Sequence, residues 1–259
     1  MLNRLINRLR QQPDTTPPQQ QDTPADRPAT TAVPPGLVSL VKSAGISLEK
    51  KGLTGTRAAV YLVLDRSYSM HPYYDNGAVQ HLADQALGLA VNLDDDGRVP
   101  LVFFDTKAYP LTEVTLRRHD GVVAEQHRTH GGVITMGGTR YAVAMEAVIS
   151  HYTAYRAAGG GDPALVIFQT DGAPQDLADT RLLLAEASEE PLYWSFVGFG
   201  PRRVPFLEQL DHLGGRLVDN ATYFHAGDTP RRISDTDLYD SLLAGFASWQ
   251  AEARRKGLL

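Results

Sequence analysis

The sequence predicts an α/β fold: a doubly wound, mostly parallel central sheet with helices on both faces and one short antiparallel edge strand. Three observations predict it. Short apolar runs alternate with stretches of helical periodicity, the pattern of a parallel sheet covered on both sides. The strongest apolar runs end abruptly in polar turns, at Asp65 and again at Thr170-Asp171-Gly172, as fully buried parallel strands do. The chain has 259 residues with 42% hydrophobic content, enough for one large domain once the atypical first segment is set aside.

The chain divides at residue 35. Residues 1–35 are read as a disordered tail and linker. Leu2, Leu5, Ile6 and Leu9 fall at helical spacing with arginines between them, but so short a helix is marginal in water on its own. The Pro-, Gln- and Thr-rich stretch after it lacks the apolar side chains needed to offset ordering. Residues 36–259 form the domain with its lead-in. In the lead-in, Leu37, Leu40 and Val41 predict one helical turn, and the alternation of Ile46 and Leu48 with polar residues predicts a short strand.

The domain elements follow in order. Ala58 to Leu64 is the first strand and Ala78 to Leu93 a helix with an apolar face. Val99 to Phe104 is the second strand, and Ala108 to Leu116 an antiparallel edge strand beside it. Val122 to Gln126 and Tyr141 to Tyr155 are helices, then Ala164 to Gln169 a buried strand. Leu177 to Ala187 is helical, Leu192 to Phe199 a strand, Pro205 to Leu213 a short helix and Ala221 to His225 a last strand. Ser234 with Asp237 starts the final helix in the manner of a capping box, and Leu238, Leu242, Leu243, Phe246 and Trp249 give it an apolar face.

Composition excludes several functions. No cysteine is present, which rules out disulfides, thiolate metal sites and a cysteine nucleophile, and suits a reducing compartment. A net charge of −5 leaves no general basic footprint for nucleic acid. No apolar run approaches the roughly 18 residues of a membrane span, and membrane contact is confined to the weak amphipathic pattern of residues 1–10.

The chemistry gathers at strand ends. In open α/β sheets, ligands sit beyond the carboxyl ends of the strands. Asp65, Ser67 and Ser69 follow the first strand, Asp171 follows the strand ending at Gln169, and Thr139 lies in the Gly137-Gly138-Thr139-Arg140 loop before a helix. Parallel strands bring these to one edge, and the two glycines permit a tight loop. Two carboxylates and three hydroxyls around one point are hard oxygen donors, the set that Mg²⁺ or Mn²⁺ prefers, with one position left open. Taken singly, each has a plainer reading: Ser67, Ser69 and Thr139 as helix or turn caps, Asp171 as a turn residue. Asp105, at the end of the second strand, is either a turn residue or an outer neighbour of the metal. Asn92-x-Asp94-x-Asp96-Gly97 imitates an EF-hand start but puts Phe103 where a bidentate Glu is required. His119, His127 and His130 do not share a helix face and read as scattered surface residues.

The spacing Asp65-x-Ser67-x-Ser69, then Thr139, then Asp171-Gly172 resembles the metal-ion-dependent adhesion site of von Willebrand factor A (vWA) domains. The stretches ISLEKKGL, VYLVLDRSYSM, GGTRY and VIFQTDGAP, with LGGRLVDNATYF and ISDTDLYDSLL, are similar to bacterial vWA proteins of tellurium-resistance and stress-response loci. The resemblance covers residues 36–259. It implies a non-enzymatic module in which Ser67, Ser69 and Thr139 reach Mg²⁺ (or Mn²⁺ or Ca²⁺) through their hydroxyls, and Asp65 and Asp171 act directly or through water. An acidic group of a partner protein would fill the open position. The implied setting is a cytoplasmic bacterial stress-response complex. Many family members have Gly between the serines where this chain has Tyr68, which changes the partner surface but not the ligand set. The alternative is a Mg²⁺-dependent phosphatase or hydrolase using Asp65 as nucleophile. That chemistry calls for a second carboxylate at position 67, where this chain has Ser.

Overall fold

The computed structural model describes residues 32–94 and 97–259. The expectations for residues 1–31, and the acidic turn at positions 95 and 96, lie outside the described residues. A six-stranded sheet forms the centre, in the order β3-β2-β1-β4-β5-β6. The strands are β1 (Ala59–Asp65), β2 (Arg98–Phe104), β3 (Thr112–Thr115), β4 (Ala164–Thr170), β5 (Leu192–Phe199) and β6 (Ala221–Gly227). All neighbours pair parallel except β2 and β3, which run antiparallel. The predicted edge strand is thus present but shorter, with Ala108 reduced to an isolated bridge to Phe104.

Alternation along each strand divides the core into two layers. Val60, Leu62, Leu64, Leu101, Phe103, Leu165 and Ile167 face one side. The helices α1 (Val38–Lys50) and α3 (Ala78–Leu93) cover that side, with α8 (Asp235–Leu242) and α9 (Phe246–Arg255). Tyr61, Val63, Val102, Phe104, Val166, Phe168 and Trp194 face the other. There the helices α5 (Tyr141–Ala157), α6 (Leu177–Ala187) and α7 (Pro205–Asp211) pack. Two short helices, α2 (His71–Asp75) and α4 (Val122–Thr129), lie on connections. Among the described residues no helix is long and apolar enough to cross a membrane.

Two expectations are corrected. The short strand expected at Ile46 and Leu48 is instead part of α1. Leu37, Leu40, Ala44 and Leu48 recur at helical spacing and are all buried, while Ile46 faces out, so the 3.6-residue period overrides a two-residue coincidence. The final helix is two helices. Gly245, with φ of 76°, breaks it between α8 and α9. The cap at its start is as read: Ser234 Oγ accepts from the Asp237 amide at 3.1 Å. The helix α2 was not foreseen, because its sequence His-Pro-Tyr-Tyr-Asp carries no buried stripe.

Candidate metal centre

The register sets the site. Leu64 pairs with Gln169 and Asp65 with Phe104, so β1, β2 and β4 end level at one edge. Asp65 is fully buried there. Its Oδ1 accepts from the Ser67 amide at 2.6 Å, and its Oδ2 accepts from Thr170 Oγ1 at 2.6 Å. The Ser67 and Ser69 hydroxyls lie 3.3 Å apart, and Ser69 Oγ donates to Asp171 Oδ1 at 2.9 Å. Asp65, Ser67, Ser69 and Asp171 are thereby joined in one hydrogen-bonded chain.

Thr139 arrives by a different route. Ser67 and Gly137 form a parallel bridge, and the Tyr68 amide donates to the Gly137 carbonyl at 3.1 Å. The Arg140 amide donates to the Asp105 carbonyl, and the Gln175 amide to the Thr139 carbonyl, each at 2.9 Å. The loop is therefore stitched to the ends of β1, β2 and β4 at once. Close approach requires its glycines: a Cβ on Gly138 would meet Gln175 Nε2 at 2.9 Å. Beyond the loop, Asp176 caps α5, its carboxylate oxygens accepting from the Tyr141 and Ala142 amides at 3.0 Å each.

The side-chain caps expected of Ser67 and Thr139 are not formed, while Asp171 lies in a bend and Ser69 within a turn, as their plainer readings have it. Ser67 precedes the turn Tyr68–Met70 but makes no side-chain cap to it. The cap of α5 comes from Asp176, not from Thr139. Three further residues escaped the sequence reading. Thr170, the last residue of β4, supports Asp65. Tyr141, fully buried, donates to the Gly172 carbonyl and lies 3.2 Å from Thr170 Oγ1. Arg66, between Asp65 and Ser67, is completely buried and turns away from them. It pairs with Asp105 at 3.2 Å and donates to Tyr109 at 2.5 Å, to Thr135 Oγ1 at 3.0 Å and to the Gly132 carbonyl at 2.9 Å. A cation directly after a buried strand needs a buried partner, and that rule was the available signal. It makes Asp105 the partner of Arg66.

Electrostatically the two carboxylates at the centre of the edge are uncompensated. Among the described residues neither Asp65 nor Asp171 has a salt-bridge partner. Burial pushes the Asp65 carboxyl up to about 7, against the lowering by the Thr170 and Ser67 hydrogen bonds and with a contribution from the Asp171 charge. Burial also raises Asp171, with the Ser69 hydrogen bond opposing. Two close carboxylates without a counter-charge, accompanied by hydroxyls, fit a hard divalent cation. No group of three or more His, Cys, Asp or Glu suited to a metal occurs among the described residues, so a cation at this edge depends on the hydroxyls. The three histidines go separate ways: His119 to Asp84 at 3.2 Å, His127 stacked on Tyr74, His130 against Tyr109.

Comparison with known proteins bears on the family and the fold. A family model described as vWA-TerF-like, the vWA found in the TerF C terminus, matches residues 57–259. The uncharacterized protein YcbR of Bacillus subtilis (strain 168) is 34% identical over 218 residues, which is 84% of this chain and 88% of YcbR. A von Willebrand factor type A structure from Catenulispora acidiphila has a TM-score of 0.51 at 17% identity, over 73% of this chain and 42% of that one. Proximal thread matrix protein 1 from the mussel byssus has a TM-score of 0.49 at 17% identity, over 73% of this chain and 47% of its own. The chain spans less than half the length of these two solved structures.

Proposed function

From the chain's membership of the vWA-TerF-like family, we propose that it is a Mg²⁺-dependent protein-binding module acting through the edge built around Asp65. The observation that carries the proposal is the uncompensated pair of carboxylates, one fully buried, linked through the residues Ser67 and Ser69. Ser67, Ser69 and Thr139 would hold the ion through their hydroxyls, and Asp65 and Asp171 would neutralise it directly or through water. When bound, the ion supplies a hard positive centre for a carboxylate oxygen brought by a partner protein. The chain's own part is to fix the donors. Thr170 and the Ser67 amide orient Asp65, and the stitched loop carries Thr139. The family suggests a bacterial tellurium-resistance or stress-response complex as the setting.

Two observations favour binding over the phosphatase alternative. Both Asp65 oxygens accept hydrogen bonds from the chain, which suits a fixed charge beside the site better than an attacking nucleophile. Position 67 offers a hydroxyl where a general acid-base would be needed. The test is thermal unfolding with and without millimolar Mg²⁺, for wild type and Asp171→Ala. A ligand that binds only the folded state stabilises by about 2.7 kcal/mol at a hundredfold excess over Kd. The proposal expects a Mg²⁺-dependent rise in wild type that the variant lacks. Equal shifts in both, or none in wild type, would count against it.

A further inference from the structure

Two apolar side chains stand beside the candidate metal centre without a structural reason to be there. Ile134 is 96% exposed and Tyr68 67% exposed, the two most exposed large hydrophobic residues among those described. Tyr68 sits between the two serines. Ile134 sits in the turn Gly132–Thr135, whose chain continues into the Gly137 that receives the Tyr68 amide. The two residues thus rise from adjoining loops on the same edge.

Ile134 is not on a loose loop. The buried Arg66 guanidinium donates to the carbonyls of His130 and Gly132 and to Thr135 Oγ1, gripping the turn on both sides of Ile134. Thr135 Oγ1 is also hydrogen bonded to the His130 carbonyl. A fully buried cation with charge-assisted bonds holds a turn in which Val133 is half-buried and Ile134 stands out in solvent. Isolated exposed apolar residues need no explanation, but two on adjoining loops beside a ligand site, one of them on a firmly held turn, mark an anchor.

The charge of the edge differs from that of the chain. The protein carries a net charge of −5. Yet the loops around the site present Lys107 after β2, Arg140 beside Thr139, Arg202 after β5, and Arg231 and Arg232 after β6, all exposed. Exposed acids on these loops and on α2 are Asp75 and Asp228. A positive rim on an acidic protein attracts and orients a negatively charged partner.

We propose that this edge receives an acidic segment of a partner protein that carries an apolar side chain next to its metal-binding carboxylate, with further carboxylates set against the basic rim. The apolar side chain packs on Tyr68 and Ile134. This rests on the metal-dependent reading above and adds the partner's chemistry to it: a lone carboxylate is not sufficient.

A displayed library of random twelve-residue peptides, bound to the full chain in Mg²⁺ and eluted with EDTA, tests it. The expected peptides are rich in Asp and Glu, with Leu, Ile, Phe, Tyr or Trp within a few positions of an acid. Their binding weakens about tenfold or more in Tyr68→Ser/Ile134→Ser. It weakens and loses salt dependence in Arg202→Ser/Arg232→Ser. Both variants keep the Mg²⁺-induced thermal shift of wild type. Acidic peptides without apolar enrichment, or peptides bound by either variant as tightly as by wild type, would overturn the proposal. So would the absence of EDTA-eluted peptides while the wild-type thermal shift is present. Absence of the thermal shift itself would remove the metal-dependent reading, and this inference with it.

Discussion

Arg66 and Asp65 are neighbours in sequence, but burial asks opposite things of them. Arg66 meets its desolvation cost with Asp105, Tyr109 and three oxygens of the 130–135 segment. Replacing it with Met leaves Asp105 buried and uncompensated. Urea denaturation of Arg66→Met is expected to show a loss of about 3–5 kcal/mol, part of which Arg66→Met/Asp105→Leu regains. Asp65 has no such partner, and burial holds its carboxyl up to about 7, above its unfolded value. The folded state therefore binds this proton more tightly than the unfolded state does. The contribution is fully present at acid pH and is lost as pH rises to about 7. Stability measured in EDTA is expected to fall between about pH 4 and pH 7 through this group, by on the order of a kcal/mol or more. With saturating Mg²⁺ the trend reverses, since proton and cation compete for the carboxylate. A flat EDTA profile would contradict the assignment. The placement of these residues was legible: Asp65, Ser67, Ser69 and Asp171 follow strands and Thr139 lies in the glycine loop before a helix. Arg66 was not, because the motif treats its position as filler, and only the tertiary fold shows how far its guanidinium reaches.

At the scale of elements, the close packing of α1 on α3 shows which effect wins when propensity and packing disagree. Gly88 lies inside α3, where Ala would ordinarily gain about 1 kcal/mol from helix propensity. A Cβ there would lie 2.9 Å from both Leu40 Cβ of α1 and the Tyr239 hydroxyl of α8. Tyr239 also donates to the Gln85 carbonyl at 3.0 Å, so it has little freedom to withdraw. Gly88→Ala is expected to be destabilising by about 1–3 kcal/mol in chemical denaturation, as overpacking outweighs propensity. A stabilised variant would show that α1 yields easily. The same contact explains why the lead-in was misread. Ile46 and Leu48 alternate like a strand, but the face of α1 is defined by residues that α3 and α8 bury, and the partner helices are distant in sequence. The central strands β1, β4 and β5 were readable because each is a mostly apolar run, buried at every position. The break at Gly245 was not, because the apolar spacing continues across it.

For the whole molecule, the consequence of the topology is that β1, β2 and β4 deliver their carboxyl ends together. No single segment could assemble this edge. Asp65 and Ser67 come from the end of β1, Asp171 from the end of β4, and Thr139 from the loop before α5, with Asp105 and Asp176 tying that loop to its neighbours. The mostly parallel sheet with one antiparallel edge strand was legible from the alternation of strand and helix signals. The stitching by Asp176 was invisible, since its partners at Tyr141 and Ala142 belong to another βα unit. The central claim is that this edge is one cation site built from five residues. The most direct measurement is the electron paramagnetic resonance signal of free Mn²⁺ during titration with wild-type protein and with Ser69→Ala, a conservative change at an exposed member of the set. The account predicts loss of the free signal to a single class of site in wild type, reversal by excess Mg²⁺, and marked weakening in the variant. An undiminished free signal in wild type, or equal binding by Ser69→Ala, would contradict it.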